Sequence, residues 1–474
     1  MIEYKAWRDK PWNKIDFSGG MNNKLEDNLI AENQCVEVQN FICTTIGRIE
    51  KRYGQAKVVS TALGGAIQGL HGFYYGTTPT RKLLTVANGS AYYLDGAAWS
   101  AAIKTGLSAS AMVDFVTFND TAIAMDGVDA PWKYDGTTVS ALANAPAAGR
   151  CPAIFKEKLF CIADDETINW SNSFLPETWT GTDVWKFDVG DGDKLTSIWS
   201  TRRCLYACKQ RKIFSLIGTS IEDFRSETSE PNHGVVGLRA GVVHEPYLYF
   251  IDADGIFQFD GMNSINMTAN TIPDTWESVN KAYLANCVAR YNYLLNQLWF
   301  HVPEGAATTN NMTLVLDLNY SNPESGEYSW WIFRGITANS MIEYDTGSGL
   351  KVYTGTTTGF VIEQNSSTYA DYGTAITSYI VDRNFDDGDP VREKKIRKVF
   401  AVDANGLNDA TFQYRTNYGA YASPTAQTDV NDVRKYNLAN VKCRYFQPKF
   451  THSTLNASCT LSGWKVMFDP GRDR

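Results

Sequence analysis

The chain has 474 residues, 43% of them hydrophobic and 20% charged, with 44 basic against 52 acidic side chains for a net charge of −8. That length exceeds one ordinary domain and suffices for a large core. The acidic balance argues against a protein that grips nucleic acid by its phosphates, although an acidic wall along which phosphate slides is compatible with it.

The opening residues, Met1-Ile2-Glu3-Tyr4-Lys5, lack the apolar run of a signal peptide. No stretch approaches the roughly 20 apolar residues of a membrane helix. Phe17-Ser18-Gly19-Gly20-Met21-Asn22 is turn-rich. Residues 27 to 38 carry Glu32, Cys35, Val36 and Val38 near helical spacing, which predicts a short helix. Asn40-Phe41-Ile42 and Arg48-Ile49 read as strands around a turn at Gly47. Arg48, Lys51 and Arg52 form a basic cluster, either a solvated face or a docking surface.

A hairpin pattern then repeats. Leu83 to Gly96, Ala122 to Gly136, Leu159 to Trp170, Leu205 to Leu216, Leu248 to Gly261, Leu298 to Asp317 and Leu350 to Ile362 each hold two apolar runs about a turn. The clearest is Tyr249-Phe250-Ile251-Asp252-Ala253-Asp254-Gly255-Ile256-Phe257. Asp-Gly between such runs marks a hairpin, and aromatic and β-branched residues suit a pleated surface. The onsets recur about every 44 residues, the period of a four-stranded propeller blade. The expectation is an all-β protein: a β-propeller of six or seven blades over 61–370, an N-terminal arm over 1–60 and a C-terminal β-sandwich over 371–474. The competing reading is an irregular sandwich.

Within the repeat, Phe187-Asp188-Val189-Gly190-Asp191-Gly192-Asp193 is an acidic, glycine-rich loop. A calcium loop would need oxygen donors where Leu195 and Arg202 stand, so the segment reads as a turn between blades. Trp330-Trp331-Ile332-Phe333 is aromatic and expected to pack one blade against the next. Beyond residue 370 five longer strands are expected, at 377–381, 397–402, 411–416, 441–450 and 461–468. Arg392 to Lys398 is the most basic run, preceded by Asp382, Asp386, Asp387 and Asp389. Charges so opposed either protect a strand edge or pair between neighbouring subunits.

The Gly-Gly-Met-Asn opening, then Gly47-Arg48-Ile49-Glu50-Lys51-Arg52-Tyr53-Gly54, resembles the start of tail nozzle proteins of short-tailed bacteriophages, some called DNA-stabilisation proteins. The order of the acidic loop, the Leu205 to Leu216 hairpin, Gly234-Val235-Val236 and the Asp254-Gly255 hairpin looks like the propeller of that family. The resemblance spans roughly residues 15 to 335. It implies a virion tail protein assembled in the host cytoplasm as a homohexamer below the portal. It also implies an adaptor above, fibres or spikes nearby, and double-stranded DNA passing through the lumen. Candidate assembly contacts are Arg48, Lys51, Arg52, Arg392, Lys394, Lys395, Asp386, Asp387 and Asp389. Candidate acidic channel loops are Asp164, Asp165, Glu166, Asp188, Asp191 and Asp193.

No catalytic motif stands out. There is no Gly-x-Ser-x-Gly, P-loop or His-Glu-x-x-His, and His244-Glu245 runs into Pro246. Five histidines and nine cysteines are scattered without metal-ligand spacing; the odd cysteine count points to reduced thiols. No enzyme activity, cofactor or metal is expected. The alternatives are a carbohydrate-binding or carbohydrate-cleaving propeller, whose carboxylates would face a central channel, and a hub or fibre-attachment component of another phage tail.

Overall fold

A computed structural model describes residues 10–402, 410–430 and 433–470. Seven antiparallel four-stranded units follow one another. Blade 1 comprises Ile67–Tyr75, Thr80–Ala87, Ser90–Asp95 and Ala98–Trp99. Blade 2 begins with Asp114–Phe118, blade 3 with Arg150–Phe155, blade 4 with Leu195–Ser200 and blade 5 with Gly241–His244. Blade 6 begins with Val288–Asn292 and blade 7 with Ser340–Asp345. Each first strand packs on the next, and Ser340–Asp345 packs back on Ile67–Tyr75. The ring is therefore a closed seven-bladed propeller, which leaves only short outer edges.

The repeated hairpins are the two middle strands of each blade. Several are buried on both faces between neighbouring blades. Leu205–Lys209 and Gln297–Val302 are buried at every position. At the Asp254–Gly255 turn, a Cβ on Gly255 would stand 2.4 Å from Asn266 Oδ1 and 2.5 Å from Thr268 Oγ1, so glycine is required by space.

Blade 7 supplies only three strands of its own. Its outermost strand is Ala56–Lys57, paired with Ile362 and Glu363. The last residues of the arm expected over 1–60 thus belong to the ring and close it. The helix expected over 27–38 is absent. Gln34–Cys35 runs parallel to Gly20–Met21, and Glu37–Gln39 pairs with Tyr379–Val381. Long-range pairing outweighs the local spacing. The helices described, Met267–Thr271, Pro273–Glu277 and the 3-10 turn Lys281–Asn286, instead connect blades 5 and 6.

Beside the ring sits a sandwich made from both ends of the chain. One sheet runs Lys10–Lys14, Gly463–Pro470, Lys394–Val402, Val433–Cys443, Ala426–Val430. The other runs Thr411–Thr416, Phe446–His452, Ser378–Val381, Glu37–Gln39. The single strand expected over 441–450 is two, because Asn417 Oδ1 accepts the amides of Arg444 at 2.9 Å and Tyr445 at 3.1 Å and turns the chain there. Between the sheets Phe450 stacks on Trp464 at 4.9 Å and Phe412 on Tyr436 at 4.4 Å.

Trp330–Arg334 is the outermost strand of blade 6, and its first four residues are buried. It does not pack blade on blade, as expected; it is the joint between ring and sandwich. Gly20 pairs with Trp330. The Asn40 amide donates to Ile332 O at 2.8 Å, and Asn40 Oδ1 accepts the Arg334 amide at 3.0 Å. One hydrophobic core runs through this joint, from Phe250 and Trp299 of the ring to Phe412 and Trp464 of the sandwich.

Candidate functional site

The basic cluster near residue 50 belongs to the joint. Lys51 is fully buried, and its Nζ donates to Thr454 O at 3.0 Å and Ala457 O at 3.3 Å. Burial pushes its pKa down. Arg52, 3% exposed, donates from Nε to Asn40 Oδ1 at 3.0 Å and from Nη2 to Arg334 O at 3.0 Å. It also makes a two-pronged pair with Asp371, at 3.0 and 2.6 Å. A buried guanidinium with this many acceptors is a clamp. The docking expectation for Lys51 and Arg52 is therefore corrected: neither presents a surface. Arg48 is half-buried.

The acidic and basic runs at 382–398 are also tied together within one chain. Lys394 is 1% exposed and donates to Asp389 O and, at 3.2 Å, to Arg444 O. Burial lowers its pKa, against the pull of Asp386, Asp389 and Asp387. Asp386 is buried and accepts Asn28 Nδ2 at 3.1 Å; Asp389 accepts the amides of Val391 and Arg392 at 3.1 Å. Lys394 is thus withdrawn from the set of surface contacts. Asp387, Asp389, Arg392 and Lys395 stay partly exposed, on one side of the sandwich.

The six residues of the acidic loops cluster at one end of blades 3 and 4. Asp164, Asp165 and Glu166 form the turn between Lys158–Ile162 and Thr167–Trp170, and Asp188, Asp191 and Asp193 lie in the connection to blade 4. None lines the axial cavity of the ring. They are heavily paired. Lys209, fully buried, reaches Asp191 at 2.7 Å; Lys212 reaches Asp188 at 2.9 Å and Asp191 at 3.1 Å. Asp193 accepts the amides of Gln210 and Arg211. Burial works upward on Asp191, yet its bonds to Lys209, the Asp193 amide and Lys212 hold its pKa well below the usual carboxylate range. Lys194 and Arg150 do the same for Asp165. Asp165, Asp188 and Asp191 are thus paired with lysine or arginine, while Asp164, Glu166 and Asp193 accept backbone amides.

Among the described residues, one group brings metal-ligand atoms together: His233, Asp252 and Asp254, mutually within 4.8 Å. Both oxygens of Asp252 already accept amides, from Asp254 and Gly234, each at 3.0 Å. The group is thereby built into the hairpin turn. All nine cysteines are free and buried. Burial pushes the thiols of Cys35, Cys43, Cys151 and Cys443 up to about 12, which makes them poor nucleophiles.

A concavity lies on the ring axis. About 540 Å³ is enclosed by residues of all seven inner strands or the turns that lead into them. Arg239, 2% exposed, spans it. Its guanidinium donates to Asp114 Oδ1 at 2.8 Å, Gln68 O at 2.7 Å, Val113 O at 2.8 Å and Asn339 O at 2.8 Å. One side chain from the start of blade 5 so ties blades 1, 2 and 7. Arg290 and Glu343 line the same space. The sequence reading named none of these residues. The available signal was a charge inside an apolar run, as in Gly237-Leu238-Arg239-Ala240-Gly241-Val242.

The fold thus defines a seven-bladed β-propeller with an appended β-sandwich. No family model matches the chain, and no curated protein matches it. Among solved structures the chain is similar to the computationally designed Ika8 protein, at 12% identity and a TM-score of 0.40 over 65% of this chain and 99% of that one. It is also similar to the Pan2 WD40 domain of Neurospora crassa, at 11% identity and a TM-score of 0.41 over 67% of this chain and 97% of that one.

Among the described residues, no helix is long and apolar enough to cross a membrane.

Proposed function

We propose that the chain is a structural protein of a short-tailed phage virion: the tail nozzle subunit, which assembles as a ring on the adaptor, retains packaged DNA and conducts it outward. The observation that carries this reading is the work done by the segments that bear the resemblance. Gly20 pairs with Trp330 on blade 6, and Arg52 bonds to the end of the same strand. The motif residues are those that weld an edge-free ring to a sandwich built from both chain ends. A rigid two-part block of this kind suits repeated heterologous contacts around a symmetry axis. A net charge of −8 suits a wall along which DNA moves without sticking.

The test is the mass of the full chain by light scattering, alone and with the adaptor ring. The reading expects a closed assembly of about six copies, in solution or only on the adaptor. A monomer that ignores the adaptor and binds or cleaves glycans would overturn it in favour of the carbohydrate-acting propeller.

A further inference from the structure

The axial cavity has the makings of a small-molecule site. Its volume of about 540 Å³ falls within the usual range for ligand pockets. Much of the wall is apolar, with Leu70, Phe115, Ile154, Trp199, Val242 and Met341. Such a wall with a few placed polar groups is the common form of a binding pocket.

Two guanidiniums enter this space, and they differ. Arg239 is consumed by its four bonds. Arg290, on the inner strand of blade 6, has five N–H donors and makes one protein hydrogen bond, from one terminal nitrogen to Ala289 O at 3.0 Å. Among the described residues no carboxylate pairs with it; Asp114, which acts on it electrostatically, is held by Arg239. Burial and the neighbouring Arg239 weaken the hold of Arg290 on its proton, against the pull of Asp114. Arg290 is half-buried, its remaining donors are open to the cavity, and a partly desolvated guanidinium without a carboxylate partner favours an incoming anion. The other carboxylate of the wall, Glu343, accepts the Tyr293 amide. Burial raises its pKa, and the Tyr293 amide works against that rise.

We infer that the axial cavity binds a small organic carboxylate, with the carboxylate on the open fork of Arg290 and an apolar body against Phe115 and Trp199. The planar guanidinium matches a carboxylate in two-pronged geometry, and the aromatic walls supply apolar contact. This inference stands apart from the nozzle reading and requires no assembly.

The experiment is calorimetric titration of the full chain with 2-naphthoate and with its neutral counterpart, 2-naphthamide. The acid should bind about tenfold or more tightly than the amide, the loss expected when a charge-assisted hydrogen bond is removed. Arg290→Met should abolish that preference, with Arg290→Lys retaining part of it. Equal binding of acid and amide by the unaltered protein, or binding of neither, overturns the inference; so does an unchanged preference in a folded Arg290→Met variant. The acid-amide comparison needs no variant, so it decides even if the substitution unfolds the ring.

Discussion

Replacing Arg239 by methionine should open the ring more than any other single change on its axis. Arg239 is buried, and its guanidinium holds four acceptors drawn from blades 1, 2 and 7 and the connections into them. Methionine fills much of the volume but leaves the Asp114 carboxylate and three carbonyls without this donor. Removing one partner of a buried ion pair costs about 3–5 kcal/mol. Asp114→Asn is the matched control. It keeps the three carbonyl bonds and an oxygen acceptor but removes the counter-charge, so it isolates the ion-pair part of the loss and should cost less than Arg239→Met. The assay is urea denaturation followed by tryptophan fluorescence, with stability read from the midpoint at constant slope. A loss below about 1 kcal/mol for Arg239→Met would be the size of an ordinary substitution and would refute the hub. Equal losses for the two variants would show that the ion pair, and not the bridging of carbonyls, carries the effect.

Three further expectations use the same reasoning. Lys394→Glu should unfold the sandwich, because it buries an acid among Asp386, Asp389 and two carbonyls; Lys395→Glu, at a partly exposed position, should leave the unfolding free energy within about 0.5 kcal/mol of the parent and weaken only assembly, as read by light scattering. Gly20→Ala should loosen the joint, since the new Cβ would stand 2.6 Å from Trp330 O at φ +63°; a cost of about 1–3 kcal/mol and faster proteolysis between ring and sandwich are expected. Acid should destabilise the ring through His71 and His301, which burial lowers from 6.5 to about 4 and about 3. The unfolded chain takes up these protons below pH 6.5 and the folded one only near 4 and 3, so stability falls across that window as pH drops. His301→Gln should flatten the decline in urea midpoint between pH 6.5 and 3.

The hairpin repeat was legible because the middle strands of each blade are enclosed on both sides. Enclosure imposes continuous apolar runs such as Leu298-Trp299-Phe300. Outer strands carry no such constraint: Arg225–Glu230 reads Arg-Ser-Glu-Thr-Ser-Glu and is mostly exposed, so it passes for a loop. Pairings such as Glu37–Gln39 with Tyr379–Val381 are invisible to local periodicity, since each partner lies more than 300 residues away. The same limit governs the charged residues. A run such as Lys51-Arg52 ordinarily signifies a solvated face. Here its acceptors are Asp371, Arg334 O, Thr454 O and Ala457 O, all remote in sequence. The acidic loop near Asp191 was read correctly as a connection between blades, because its glycines and aspartates are turn formers. Its lysine partners across the neighbouring hairpin were not foreseen.

The path of the N-terminal chain couples the two halves of the molecule. It runs from the sandwich edge at Lys10–Lys14 to blade 6 at Gly20, back to the second sandwich sheet at Glu37–Gln39, and then to blade 7 at Ala56–Lys57. The strand that completes the ring is thus reached only through segments already paired with the C-terminal sandwich. Closing so long a loop costs little more than closing a short one, because loop entropy grows only with the logarithm of length. Its return is that ring closure and sandwich formation use the same stretch of chain. A contact made on the sandwich can therefore bear on the last blade through residues 37 to 57, along the line of Asn40, Arg52 and Asp371. In the nozzle reading, that line is the route by which seating on an adaptor would tighten the ring.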